Sequence, residues 1–176
     1  ERESEELVLA FSGPIGSAVN VVLSITEAEL RNRGYDRVVR IKLSDLIIRV
    51  CNDGSAEIPG MPDLERIEPG QRYSKLQQAG NLLRKHYKHD FLAEVAITKI
   101  AKTRTAAIPE ETDIEAVVPS KSAYLIDQLK HPEEVSLLRT VYGNLFFLVG
   151  VFCSDEQRKI NLRTNLNLSE TDAVEI

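Results

Sequence analysis

The feature that most constrains the fold lies near the start of the chain, where a short apolar run meets a glycine-containing turn. The run is LVLAF at residues 7–11, and the turn is SGPIGS at residues 12–17. A short continuous apolar run that ends in such a turn predicts a strand buried on both faces, as in a parallel sheet. Apolar residues at helical spacing follow over residues 17–31, and residues 37–48 predict a strand that runs into a helix. The opening is therefore typical of a strand–helix–strand unit.

The remaining chain continues this alternation. Amphipathic patterns predict helices over residues 71–89 and 91–103, and an apolar run predicts a strand over residues 123–127. His131-Pro132-Glu133-Glu134 is typical of a helix start, and Gly143 of its end. Residues 145–152 form the most apolar stretch and predict a central strand, after which Ser154-Asp155-Glu156 predicts another helix start. We therefore expect an α/β domain with a parallel sheet flanked by helices.

Composition excludes several other classes of protein. The 176 residues suit one domain, residues 1–176, and the net charge of −5 argues against unspecific binding of nucleic acid. No apolar run reaches the ~18 residues of a membrane span, and the sequence does not open with a basic and then apolar leader, so we expect a cytoplasmic protein without membrane contact. Cys51 and Cys153 are too few for a four-cysteine zinc site. Residues 172–176 resemble an interrupted helix, which suggests a fragment of a longer protein.

The turn after the first strand is the main candidate site. A phosphate-binding loop has the pattern G-x-x-x-x-G-K-[ST] between a strand and a helix. Here Gly16 matches, whereas Phe11 replaces the first glycine, Ser17 the lysine and Ala18 the metal-binding hydroxyl. The backbone could still offer amides to a phosphate, but the charge needed for phosphoryl transfer is missing. The candidate nucleotide-binding residues are Ser12, Gly13, Pro14, Ile15, Gly16, Ser17 and Ala18; a tight turn without a ligand explains them equally well.

Other candidates lie elsewhere in the chain. Asp127 ends a predicted strand, where an acid holds a metal or receives a substrate hydroxyl in phosphate-loop proteins; a solvated carboxylate is the alternative. Arg72, Asn81, Arg158 and Arg163 are possible substrate or lid contacts, although a charged helix face also explains the two later arginines. Gly80 inside a predicted helix costs ~1 kcal/mol relative to alanine, which indicates close approach of a ligand or a packed neighbour.

Metal binding is not expected in this chain. His131-x-Glu133 matches the first half of the zinc deaminase signature H-x-E…P-C-x-x-C, but the second half is absent. We therefore interpret His131 as a helix-start residue.

Several segments together resemble the N-terminal half of anti-phage deoxycytidine nucleotide deaminases. They are ELVLAFSGPIGS at residues 6–17, RY at 72–73, AGNLLR at 79–84, LKHPEEV at 129–135, LR at 138–139, VYG at 141–143 and FLVGVF at 147–152. Residues 129–152 are the most specific part, and the resemblance covers nearly the whole chain.

The resemblance implies a P-loop domain, similar to nucleotide kinases, that precedes a zinc-dependent deaminase domain. It implies a phosphate loop at residues 12–18 that lacks the usual lysine, and zinc only in the downstream domain. It also implies depletion of dCTP during phage infection, a possible regulatory small RNA partner and oligomers formed by the full-length protein. The expected function is a nucleotide-binding regulatory domain, with Mg-nucleotide as a possible ligand. The alternative is an active nucleoside or nucleotide kinase that uses Asp127, Arg158 and Arg163.

Overall fold

Four parallel strands form the sheet in the computed structural model, which describes residues 5–53, 57–67, 69–106 and 121–166. The strands are β1 (Leu7–Ser12), β2 (Arg37–Lys42), β3 (Ser122–Asp127) and β4 (Phe146–Gly150), in the spatial order β2-β3-β1-β4. Every neighbouring pair is parallel, and Leu9 of β1 lies opposite Leu125 of β3 and Phe147 of β4. The predicted α/β class with a parallel sheet is confirmed.

Six α-helices connect and cover these strands. They are α1 (Val19–Asn32), α2 (Leu43–Asn52), α3 (Arg72–His86), α4 (Phe91–Thr105), α5 (Pro132–Tyr142) and α6 (Asp155–Leu166). Short 3₁₀ turns precede α3 at Pro69–Gln71 and β4 at Gly143–Leu145. The predicted connection at 104–120 begins later than expected, because α4 continues to Thr105. Residues 107–120 of this connection lie outside the described residues, as do residues 172–176.

Alternation along the strands separates two apolar clusters, one on each face of the sheet. Val8 and Ala10 of β1 belong to the larger cluster, which includes residues of α2, α3, α4 and α5. Phe11 of β1 belongs to the smaller cluster with Val19 and Leu23 of α1. Because successive side chains of a strand point to opposite faces, helices must cover both sides. β3 is buried from Ser122 to Ile126, and β1 combines buried and half-buried residues.

The expectation that residues 145–152 form a central strand is wrong for the described sheet. β4 pairs with β1 and lies at the edge of the four strands. Phe147 and Leu148 remain 43% and 40% exposed. A run of apolar side chains indicates that a strand prefers to be buried. Its position in the sheet depends instead on which other strands it pairs with, and the run itself does not specify those strands.

The predicted helix starts are confirmed in detail. At α5, the His131 side chain accepts from the Glu133 N–H at 3.3 Å, and Glu134 accepts in return from the His131 N–H at 3.0 Å. At α6, the Ser154 hydroxyl accepts from the Gln157 N–H at 3.2 Å. Both arrangements satisfy backbone donors that a helix leaves unpaired in its first turn.

Candidate functional site

The carboxyl ends of β1, β3 and β4 bring three separate segments of the chain together. Phe11 lies opposite Asp127, and Ser12 lies opposite Gly150, so the turn after β1 lies between the ends of its two neighbours. The Cys153 thiol lies 3.8 Å from the Gly16 carbonyl oxygen. This is the edge at which open α/β sheets bind their ligands.

Ser17 closes the turn on itself. Its hydroxyl donates to the Pro14 carbonyl at 2.7 Å, its N–H donates to the same oxygen at 3.1 Å, and the residue is only 3% exposed. A Cβ atom at Gly13 would lie 2.6 Å from this hydroxyl and 2.5 Å from the Val151 carbonyl oxygen, so only glycine fits there. The position that carries lysine in a phosphate loop thus holds a short side chain inside the turn.

The remaining amides of the turn keep their hydrogen-bonding capacity. Gly16 and Ala18 both have a left-handed backbone, with φ of 87° and 60°. Among the described residues, no acceptor is found for the N–H groups of Gly13, Ile15, Gly16 or Ala18. Left-handed residues in such turns are a feature of backbone concavities that bind anions. Four N–H groups near the start of α1 thus have no acceptor within the part of the chain that the structure describes.

Helix α6 packs directly against the turn and binds its carbonyl groups. The Arg158 Nε donates to the Ile15 carbonyl at 3.0 Å, and the Asn161 Nδ2 donates to the Gly16 carbonyl at 2.8 Å. A Cβ atom at Gly16 would lie 2.9 Å from Leu162. Arg158 therefore stabilises the main chain of the turn by this hydrogen bond. Arg163 is exposed on the same helix.

A lysine from a distant segment reaches the turn. The Lys130 Nζ donates to the Gly13 carbonyl at 2.7 Å, although the two residues are 117 positions apart in the chain. Burial lowers the pKa of Lys130, and the nearby Asp127 carboxylate opposes that effect. Lys130 was not among the site residues predicted from the sequence. Its position shortly after Asp127, where a predicted strand ends, was the signal that could have identified it.

The loop that carries Lys130 is held by a fully buried carboxylate. Glu134 accepts from the Lys130 N–H at 2.9 Å and from the Arg84 Nε at 2.8 Å. The Leu129 N–H donates to the Phe11 carbonyl at 2.9 Å, which ties the same loop to the end of β1. Glu134 and Arg84 were also missed as site-supporting residues, since nothing local in the sequence shows that α3 and α5 meet there.

Asp127 is already paired in this structure. Its carboxylate lies 2.8 Å from the Arg40 guanidinium of β2, and its side chain is 11% exposed. Arg40 also binds the Asn20 side chain at the start of α1. The ion pair neutralises the acid at the end of β3 and occupies one of its oxygens.

A cavity of about 420 Å³ opens beside the turn. Two of its lining residues, Lys130 and Arg139, carry cationic side chains that suit an anion. Ser12 and Ser136 also line it, and their hydroxyls donate to the Leu129 and Pro132 carbonyls. The remaining lining residues are Leu129, His131, Pro132, Val135 and Leu148, so the lining contains no carboxylate. Ligand cavities of ~300–1,000 Å³ accommodate compounds the size of a nucleotide.

The predicted contacts from α3 do not reach this cavity in the described structure. Arg72 and Asn81 are exposed on α3, and neither lines the cavity or has a contact with the turn among the described residues. Gly80 makes room for neighbours, because a Cβ there would lie 3.2 Å from the Arg84 guanidinium and 3.3 Å from Ile47. Gly80 therefore serves helix packing and the Arg84–Glu134 pair.

The residues around the turn do not fit a magnesium ion. Ala18 has no hydroxyl, and Asp127 is neutralised by Arg40. Across residues 5–53, 57–67, 69–106 and 121–166, no group of three or more His, Cys, Asp or Glu side chains could hold a metal.

No helix in those ranges is long and apolar enough to cross a bilayer.

Comparison with known proteins does not assign the chain to a family. It matches no protein-family model, and no curated protein matches it significantly.

Proposed function

We propose that this chain is a nucleotide-binding regulatory domain that does not itself transfer phosphate. The observation that carries the proposal is the cavity beside the β1 turn, whose lining includes the cationic side chains of Lys130 and Arg139 and no carboxylate. The adjoining turn also contains N–H groups for which the described residues supply no acceptor. Backbone amides at a helix N-terminus together with fixed cations suit a phosphate group.

The same site lacks the parts that phosphoryl transfer uses. Ser17 stands at the lysine position and is buried within the turn, and Ala18 cannot position a metal. Asp127 forms an ion pair with Arg40. Because transfer depends on positioned cations and on a residue that orients the attacking group, we infer binding without turnover.

We further propose that the bound nucleotide is a deoxycytidine nucleotide and that its binding controls an attached zinc-dependent deaminase. The support is the resemblance of residues 129–152 to anti-phage deaminases that deplete dCTP. On this proposal the chain works in the cytoplasm, the zinc belongs to the deaminase domain, and oligomers form through the full-length protein.

A regulatory RNA would need a positively charged surface away from the cavity. Such a surface exists at the amino end of the sheet, where a second groove is lined by Arg37, Lys99 and Lys102. Phosphate groups of RNA bind such cations in a salt-dependent way. This supports RNA as a partner of the regulatory domain.

Calorimetric titration of the chain with dCMP, dCTP and ATP, each with and without Mg²⁺, tests the proposal. We expect a deoxycytidine nucleotide to bind, with little dependence on Mg²⁺, because the site offers no ligand set for the metal. Arg139→Ala should weaken binding, whereas Arg33→Ala on the exposed end of α1 should leave it unchanged. Absence of binding by all three nucleotides would contradict the proposal.

The kinase alternative draws on one observation, which is that Asp127 ends β3 next to the turn. Transfer of labelled phosphate from ATP to deoxycytidine or dCMP separates the two functions. We expect no transfer above the level without protein. Turnover that disappears in the Asp127→Asn variant would favour the kinase.

A further inference from the structure

We infer that Lys130 supplies the positive charge for a bound nucleotide phosphate, in place of the lysine missing from the turn. This inference rests on the proposed function and names the residue that gives the site its preference for phosphate. Lys130 reaches the site from the loop between β3 and α5, and it lines the cavity beside the turn.

The position of the ammonium supports this assignment. Lys130 Nζ lies 2.7 Å from the Gly13 carbonyl oxygen and lines the cavity. An ammonium has three N–H donors, and the Gly13 carbonyl takes one of them. Two donors remain for a phosphate oxygen, and the residue is exposed enough for a ligand to reach it.

The backbone beneath the side chain is fixed. Glu134 accepts the Lys130 N–H at 2.9 Å, and the Ser12 hydroxyl donates to the Leu129 carbonyl at 3.1 Å. The Arg84 guanidinium holds Glu134 in turn, at 2.7 Å. Since the main chain is held on both sides, the flexible stem of Lys130 can turn toward a ligand without moving the loop.

The surroundings favour a dianionic group. Arg139 and the hydroxyls of Ser12 and Ser136 line the same cavity, and no carboxylate lines it. Asp127 and Glu134 are the acids that act on Lys130, and each is paired with an arginine, Arg40 and Arg84 respectively. A phosphate monoester would therefore meet two cations and no carboxylate in this cavity. Burial lowers the pKa of the Lys130 ammonium, and a phosphate beside it would oppose that change.

The test compares dCMP and dCTP with unphosphorylated deoxycytidine, titrated into the full chain and three variants. Lys130→Met keeps the apolar stem without the charge, Lys130→Arg keeps the charge, and Lys99→Met removes a lysine from the groove at the other end of the sheet. We expect Lys130→Met to weaken nucleotide binding by about 10- to 100-fold, the usual effect of a hydrogen bond to a charged group. Deoxycytidine affinity should not change, Lys130→Arg should retain most of the affinity, and Lys99→Met should have no effect.

The outcomes separate this inference from the proposed function. Binding of nucleotide by Lys130→Met at wild-type strength would overturn the role of Lys130 and leave the proposed function intact. An equal loss in Lys99→Met would show unspecific attraction to surface charge and would also overturn it. No binding by the wild type would refute both. A readout that needs no variant is amine labelling, in which dCTP but not deoxycytidine should protect Lys130 of the wild-type chain from modification.

Discussion

The Glu134 carboxylate is fully buried, and both of its oxygens accept hydrogen bonds. Oε1 accepts from Arg84, and Oε2 accepts from the backbone N–H groups of Lys130 and His131. Burial of a charge is unfavourable unless such partners compensate for lost water. One side chain therefore joins α3, α5 and the loop that carries Lys130.

Glu134→Leu should destabilise the protein by about 3–5 kcal/mol, because the buried Arg84 guanidinium loses its counter-charge. The double variant Arg84→Met with Glu134→Leu should be more stable than Glu134→Leu alone, since it also removes the buried Arg84 charge that the single variant leaves without a counter-charge. Urea unfolding measures both. As a control, Glu29→Ala removes an exposed pair with Arg33 at 3.8 Å and should change stability by less than about 0.5 kcal/mol. Equal losses in the single and double variants would contradict this account.

Gly16 offers a second prediction at the scale of one residue. Gly16→Ala places a Cβ atom 2.9 Å from Leu162 at a φ of 87°. The left-handed backbone costs ~1–2 kcal/mol for alanine, and the close contact adds ~1–3 kcal/mol. Gly60→Ala is the matched control, because Gly60 has a φ of 79° and a Cβ there would meet nothing within 4 Å.

Thermal or urea unfolding should therefore show a clearly larger loss for Gly16→Ala than for Gly60→Ala. The same loss in both variants would mean that α6 does not pack closely on the turn.

At the scale of elements, α6 holds the turn by side chains that bind main-chain carbonyls. Asn161 and Arg158 together fix the Gly16 and Ile15 carbonyls. The N–H of a peptide unit points away from its carbonyl, so the Ile15 carbonyl bound by Arg158 directs the Gly16 N–H away from this contact. The docking of α6 thus fixes the conformation of the turn.

Asn161→Leu should release the turn without unfolding the sheet. We expect a loss of about 1–2 kcal/mol in stability, and faster amide hydrogen exchange over residues 13–18. Thr164→Val is the control on the same helix, because among the described residues the Thr164 hydroxyl bonds only to the Ile160 carbonyl of α6. Unchanged exchange in the turn of the Asn161 variant would show that α6 does not order it.

At the scale of the whole molecule, Tyr142 couples stability to alkaline pH. The Arg104 guanidinium lies over the Tyr142 ring, and its Cζ atom is 5.6 Å from the ring centre. Arg104 also binds the nearly buried Glu6 at 2.7 Å. Burial raises the pKa of Tyr142 from 10.0 to about 12. The folded protein therefore holds this proton more tightly than the unfolded chain does.

The stability that protonated Tyr142 contributes is fully present below about pH 10 and is lost as the pH rises through about 12. The pKa difference corresponds to ~2–3 kcal/mol at most. Tyr142→Phe should be less sensitive to pH over this range, as measured by urea unfolding at several pH values with tyrosine ionisation followed by ultraviolet absorbance. The same decline in the wild type and in Tyr142→Phe would contradict the assignment.

Local patterns predicted most of the fold. The apolar run at residues 7–11, the helix starts at His131 and Ser154, and the strand that ends at Asp127 agree with the structure because each depends on neighbours in the chain. The edge position of β4 was mispredicted, since burial preference does not specify a partner strand. The candidate turn was predicted from its glycines, whereas the hydrogen bonds from α6 to its Ile15 and Gly16 carbonyls depend on three-dimensional packing.

The sequence by itself determined the alternation of strands and helices, the parallel sheet and the loss of the lysine from the turn, because all three follow from local residue patterns. The tertiary structure alone decided which charges meet at the site. Arg84 and Glu134 are 50 residues apart, Arg40 and Asp127 are 87 apart, and Gly13 and Lys130 are 117 apart. Contacts over such separations depend on the order of strands and on the packing of helices across the sheet, and no local periodicity encodes that order.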